Sequence, residues 1–209
     1  LTTAAQFIVS GKHKKVLVVG ADVMSSIIDF NDRATCVLFG DGAGAVLVEA
    51  SEGENGILDS ILRSDGAGGQ FLYMPGGGSL HPPTDETVAK KMHYVHQNGR
   101  NVFKFAVKGM VEVSEKILER NGLTHEDLKL YVPHQANLRI IKAATEKLQI
   151  DPAKVAINID RYANTTAGTI PICLSEAAES GSLESGDLLL LASFGAGFTW
   201  GSILLRWGK

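Results

Sequence analysis

Residues 128–148 read LKLYVPHQANLRIIKAATEKL, and this stretch decides the fold class. Leu128 to Val132 is a short apolar run of strand length. Pro133-His134-Gln135 follows, and from Asn137, a residue suited to capping a helix, the apolar spacing becomes helical. Leu138, Ile141, Thr145 and Leu148 are expected to face inward, with Arg139, Lys142 and Glu146 outward. A strand that passes through a polar junction into an amphipathic helix is the repeating unit of a layered α/β fold.

The alternation extends in both directions. Upstream, Phe103, Ala106, Met110, Val113 and Ile117 recur at helical spacing and stop at Asn121-Gly122. Val16 to Gly20 reads as a strand covered on both faces. Thr35 to Phe39 and Ala45 to Val48 read as two strands joined by a tight turn at Gly40-Asp41-Gly42-Ala43-Gly44, and Ile57 to Leu62 as another strand. Glycine and proline dominate residues 64–84, a long irregular connection of the kind that is usually functional. Downstream come a strand at Val155 to Ile159, a polar loop at Asp160 to Thr166, and a helix with Pro171 in its first turn that closes at Gly181. Strands at Leu188 to Phe194 and Ser202 to Arg206 flank Gly195-Ala196-Gly197.

One order of elements occurs twice. Thr2-Thr3-Ala4 opens a helix ending at Ser10-Gly11, then an apolar strand, a glycine-rich stretch and a last strand; Thr165-Thr166-Ala167 opens the same series, with its helix ending at Ser180-Gly181. The chain reads as internally duplicated. Leu1 falls inside a helical pattern, so the first copy is expected to be truncated.

With 209 residues, 44% hydrophobic and 21% charged, the chain can bury a substantial core. A formal charge of −3 gives no global attraction to nucleic acid or to anionic membrane. No apolar run approaches the roughly 20 residues of a membrane-spanning helix. Cys36 and Cys173 make no disulfide framework and no secretory signal precedes them, so a cytoplasmic location is expected.

Gly40 to Gly44 is followed by a strand where a nucleotide-binding glycine loop requires a helix, so close strand approach explains these glycines better. Asn164-Thr165-Thr166 matches a glycosylation acceptor in a chain with no other sign of secretion. His13, His81, His93, His96 and His125 lie among polar residues without metal-ligand spacing, and no metal site is expected. His134 differs from them. It stands at the C-terminal end of an apolar strand, just before a helix, where catalytic groups collect in open α/β sheets; a structural histidine is the alternative.

Three long motifs in order carry a family resemblance: Val132-Pro133-His134-Gln135-Ala136-Asn137-Leu138-Arg139, Asn164-Thr165-Thr166-Ala167-Gly168, and Phe194-Gly195-Ala196-Gly197-Phe198-Thr199-Trp200-Gly201. With Asp32-Arg33-Ala34-Thr35 and Phe39 to Ala45, they resemble β-ketoacyl-acyl carrier protein synthase III from end to end. The resemblance implies a thiolase-like duplicated αβαβα fold. Residues 1–56 would be the remainder of the first half and residues 57–209 the complete second half, including the loop at 64–84. It also implies a cytoplasmic homodimer that uses acyl-CoA and malonyl-acyl carrier protein, with no cofactor and no nucleic-acid or membrane partner.

On the same grounds His134 and Asn164 are implied to be two members of a Cys-His-Asn triad, whose cysteine belongs to a segment preceding Leu1. The Ala196 backbone N–H is implied in an oxyanion hole, alanine standing where the family usually has glycine. Arg33 is implied to stack on the CoA adenine, and Leu38, Phe39 and Phe103 to wall the acyl and pantetheine tunnel, ordinary core being the alternative. Asn137 would bond pantetheine, although helix capping explains it equally. Arg100 stands where the family often has a small amide. Lys104, Arg139, Lys142 and Lys147 would form the patch for an acidic carrier protein, or are solvated helix charges. Two other readings stay open: a non-catalytic partner subunit of a condensing-enzyme dimer, and a related CoA-dependent ketosynthase with a different product.

Overall fold

The computed structural model describes residues 1–51 and 53–208. Helix α1 (Thr2–Val9) leads into strand β1 (Lys15–Asp22), a 3-10 turn and strand β2 (Gly42–Glu49). Strand β3 (Gly56–Ser64) precedes the irregular region, which holds the short strand β4 (Leu72–Tyr73), helix α2 (Asp85–Ala89) and short strand β5 (His96–Gln97). Helix α3 (Gly99–Arg120), strand β6 (Leu130–Pro133), helix α4 (Leu138–Lys147), the single-turn helix α5 (Ile159–Tyr162), helix α6 (Thr169–Glu179) and strands β7 (Leu188–Gly195) and β8 (Thr199–Arg206) complete the order.

The main sheet runs β3-β8-β7-β6, with β6 parallel to β7 and the other pairs antiparallel. Alternation along β7 sends neighbouring side chains to opposite faces. Leu190, Ala192 and Phe194 join Met110, Val113 and Ile117 of α3 and Ile140 of α4 in one cluster. Leu189 and Leu191 join Cys173 and Leu174 of α6 in another. The main sheet is therefore covered on both faces.

Strands β1 and β2 form a separate antiparallel ribbon on the far side of α6. The described residues thus stack as helix, sheet, helix and ribbon. The recurring order is visible in space, since β1–β2 and β7–β8 are both eight-residue antiparallel pairs that follow a helix.

Glycine explains how tightly the ribbon sits. A Cβ on Gly20 would collide with the Ala167 carbonyl, and one on Gly44 would stand 2.8 Å from Pro171. The glycines at 40–44 thus serve close approach rather than a hairpin.

Several expectations are corrected. Thr35 to Phe39 is a series of turns, because the Asp32 carboxylate accepts from Ala34 N–H (2.9 Å) and the Thr35 hydroxyl (2.8 Å) and winds the chain back on itself. No hairpin joins it to β2, which pairs with β1 instead. Val16 to Gly20 is a strand, but its outer face, with Leu17 63% and Val19 60% exposed, is not covered by the described residues. Val155 to Ile159 makes only one bridge, Val155 to Tyr131, before α5 begins. On α4, Ile140 and Ala144 turn inward with Ile141 and Thr145, while Leu138 is exposed in the first turn.

Candidate active site

His134 follows the last residue of β6. Its backbone N–H donates to the Ala192 carbonyl on β7 (2.8 Å), which extends the parallel pairing by one residue. Gln135 fixes the junction: its amide donates to the Pro133 and Ala156 carbonyls (2.8 and 3.1 Å) and its oxygen accepts from Asn158 N–H (3.1 Å). The imidazole is buried. Burial without a nearby anion disfavours the charged ring, and its pKa is pushed down to about 4. At neutral pH His134 is therefore a neutral imidazole carrying one ring proton.

Asn164 follows Ala163, whose backbone has a positive φ (57°), in the turn after α5. Its N–H donates to the Leu38 carbonyl (2.9 Å) and its carbonyl accepts from Gly40 N–H (3.0 Å), a bridge that ties Leu38, Phe39 and Gly40 to the second repeat. The side-chain oxygen accepts from Thr166 N–H (2.9 Å). That contact uses the amide oxygen and leaves the NH₂ as an unspent donor.

The two residues are joined through Thr166 and Thr169. His134 Nδ1 stands 2.6 Å from the Thr169 hydroxyl, which is 3.0 Å from the Thr166 carbonyl. Thr166 has φ 50°, a conformation a β-branched residue adopts only when its surroundings enforce it. The enforcing group is Asp22 at the end of β1, whose carboxylate accepts from the Thr166 hydroxyl and from Ala167 N–H (3.2 Å). Sequence reasoning missed Asp22, Gln135, Thr166 and Thr169 as site residues. For Thr166 a signal was present, since it lies in the Thr165-Thr166-Ala167 series that marked the duplication.

The remaining candidates fall in three places. Ala196 is exposed in the turn between β7 and β8, and its carbonyl accepts from the Thr199 hydroxyl (3.1 Å). Arg33 is exposed in the turn that Asp32 organises, and the adjoining segment is anchored by a Lys91–Asp29 ion pair (2.6 Å) and by Val95 N–H donating to Ile27 O (2.9 Å). Phe103 lies half-buried on α3 with the Arg139 guanidinium 5.6 Å above its ring, a cation–π geometry. This contact packs Arg139 of α4 on the residue preceding Lys104 in α3, and Lys142 lies about one turn further along α4. Lys147 is at the far end of α4, about 12 Å along the axis from Arg139 by helical rise. Asn137 caps α4, its oxygen accepting from Arg139 N–H (2.8 Å), and its amide NH₂ is not consumed by the cap. Arg100 is exposed in the first turn of α3.

Cys173 is not poised as a nucleophile. Cys173 is buried on the helical face beneath the main sheet, and burial together with Glu176 pushes its thiol up to about 12. Cys36 lies in the turns after Asp32. Beside the site a cleft of about 960 Å³ opens between the ribbon and the main sheet, lined by Val18, Gly20, Ala167, Ile170, Ala192 and Trp200 among others. Among the described residues no cluster of three or more His, Cys, Asp or Glu could hold a metal, and no helix is long and apolar enough to cross a membrane.

The family profile described as 3-oxoacyl-[acyl-carrier-protein] synthase III matches residues 1–66, and the one for the C-terminal part of the same family matches residues 118–207. The chain is 59% identical to β-ketoacyl-[acyl-carrier-protein] synthase III of Koribacter versatilis over 99% of its length and 63% of that protein's. It is 57% identical to the protein of the same name from Chlorobium luteolum, again over 99% of its own length and 64% of the relative's. It superposes on the crystal structure of the Thermus thermophilus synthase III with a TM-score of 0.89 at 44% identity, covering 99% of this chain and 63% of that one. The chain thus spans a little under two thirds of the length of these relatives.

Proposed function

The chain belongs to the 3-oxoacyl-[acyl-carrier-protein] synthase III family, whose fold is thiolase-like, and from that premise we propose that the whole protein condenses an acyl-CoA primer with malonyl-acyl carrier protein and so starts fatty acid synthesis. In this reading residues 1–56 belong to the first repeat and residues 57–209 form the second. The protein works as a cytoplasmic homodimer and needs no cofactor beyond its CoA thioester substrate.

A cysteine thiolate first takes the acyl group from CoA, releasing the CoA thiol and splitting one difficult transfer into two easier ones. Cys173 is buried with its thiol pushed up and Cys36 lies in the turns after Asp32, so the reading assigns the thiol to a further cysteine of the whole protein. The Ala196 N–H receives the oxyanion of that step. Malonyl-acyl carrier protein then loses CO₂. The bond electrons pass to its thioester oxygen as an enolate, which the His134 imidazole and the Asn164 amide stabilise as neutral donors. The enolate carbon attacks the acyl-cysteine, and the thiolate leaves.

The observation that carries this reading is the placing of two neutral polar side chains on one short path of close contacts, His134–Thr169–Thr166–Asn164. A non-catalytic partner subunit has no use for that arrangement. Arg33 is assigned to the CoA adenine, Leu38, Phe39 and Phe103 to the acyl and pantetheine walls, and Asn137 to the pantetheine arm. Lys104, Arg139, Lys142 and Lys147 are assigned to the carrier protein. The test is to give the purified protein acetyl-CoA and malonyl-acyl carrier protein and follow 3-oxoacyl-carrier protein and CO₂. Formation of both supports the reading. If neither condensation nor malonyl decarboxylation occurs, the reading fails and the partner-subunit alternative takes its place.

A further inference from the structure

We infer that Thr169 is a positioning residue that fixes the tautomer of His134, and thereby makes the imidazole a donor at Nε2; this rests on the condensing-enzyme reading. The neutral ring has one proton to place on two nitrogens. If the proton is on Nδ1, Nε2 presents a lone pair and repels an enolate oxygen. If it is on Nε2, the ring donates to that oxygen. The group in contact with Nδ1 therefore decides which chemistry the ring performs.

That group is a hydroxyl with a single proton and two acceptors in reach. Thr169 Oγ1 lies 2.6 Å from His134 Nδ1 and 3.0 Å from the Thr166 carbonyl. An imidazole nitrogen is a more basic acceptor than an amide carbonyl, and here it is also the nearer one. A hydroxyl that donates to Nδ1 leaves the ring proton on Nε2. Turned to Thr166 instead, it would receive Nδ1–H and strip Nε2 of its proton. Thr169 is 2% exposed and His134 9%, so water does not readily substitute for the hydroxyl. Thr169 is also the first residue of α6, with Pro171 packed against Gly44 of the ribbon, so its side chain is aimed by the helix rather than by the loop. It touches neither substrate nor reacting atoms. Its effect passes through the imidazole alone.

The test begins on the unmodified protein. With histidines labelled by ¹⁵N, two-bond proton–nitrogen correlations assigned to His134 by comparison with His134→Gln should show the pattern of the Nε2–H form. Thr169→Val, which keeps the shape and leaves Nδ1 without a hydrogen-bond partner, should loosen the hold on that pattern and lower kcat for malonyl-thioester decarboxylation about tenfold, the factor that corresponds to one ordinary hydrogen bond, with KM little changed. Thr169→Ser should restore both the tautomer and the rate. An Nδ1–H pattern in the unmodified protein overturns the inference, as does a Thr169→Val protein that decarboxylates at the original rate. Should Thr169→Val fail to fold, the unmodified spectrum and the Ser variant still decide. His134→Gln separates the two readings. If it decarboxylates normally, the condensing-enzyme reading is lost; if it is inactive while Thr169→Val is normal, only the role of Thr169 is lost.

Discussion

The side-chain oxygen of Asn164 is held by the N–H of Thr166 at 2.9 Å, so the amide is locked with its NH₂ as the working end. Asn164→Asp keeps the acceptor that Thr166 needs and removes the donor. Malonyl decarboxylation should then fall by roughly two to three orders of magnitude, the usual effect of losing one oxyanion donor. Because the site is buried, the new carboxylate should also lower the unfolding midpoint, so the rate is read well below it. A variant that retains its rate would remove Asn164 from the proposed chemistry.

Burial of His134 predicts a pH dependence of stability. Its folded pKa of about 4 lies below the ordinary histidine value near 6.5, so between these limits the unfolded chain binds the proton more readily. The stability is fully present above about pH 6.5 and is lost as pH falls toward 4, at up to about 1.4 kcal/mol per pH unit. Urea unfolding at pH 7.5, 6.0 and 5.0 should show that slope, and His134→Gln should flatten it.

Gly20 faces the Ala167 carbonyl so closely that a methyl group has no room. Gly20→Ala should therefore cost about 2 kcal/mol or more, as forced overpacking does. Because Asp22 holds Thr166 from the same strand, condensation should fall together with the denaturation midpoint. A variant of unchanged stability and rate would show that the ribbon does not set the site.

Arg33 is exposed and distant in role from the reacting atoms. Arg33→Ala should raise KM for the acyl-CoA primer several-fold and leave kcat nearly unchanged, the signature of binding energy expressed equally in ground and transition states. Initial-rate kinetics with the carrier-protein substrate held saturating would check it.

The basic residues on α3 and α4 make a further comparison possible. Reversing Lys104 and Lys142 to Glu should depress kcat/KM for malonyl-acyl carrier protein at low salt, with a smaller effect at high salt, because such charges act mainly on encounter. The rate with malonyl-CoA in place of the carrier protein should be spared. Equal losses on both substrates would point to a folding defect instead.

The long helices and paired strands were legible because their periodicity is strong: α3 shows its apolar stripe from Val102 to Leu118, and the Asn121-Gly122 stop is where it ends, with Gly122 at φ 66°. The strand at Thr35 to Phe39 was misread because β-branched and apolar residues there outweighed a single Asp32, whose two capping bonds decide the turn. The glycines at 40–44 resembled a hairpin because the surface they approach, residues 162–172, is over a hundred positions away in sequence. The place of His134 at a strand end could be read directly. The bonds from it to Thr169 and onward to Thr166 could not, since they depend on a left-handed backbone at a threonine and on a carboxylate from β1.

Thr166 uses its N–H toward Asn164 and its own hydroxyl toward Asp22, and its carbonyl stands 3.0 Å from the Thr169 hydroxyl that meets His134. The donors at His134 and Asn164 are thus two prongs on one handle, and neither can be shifted without dragging the other. If Leu38, Phe39 and Phe103 wall the acyl group as proposed, a change of acyl preference has to leave that fork in place and reshape those walls around it.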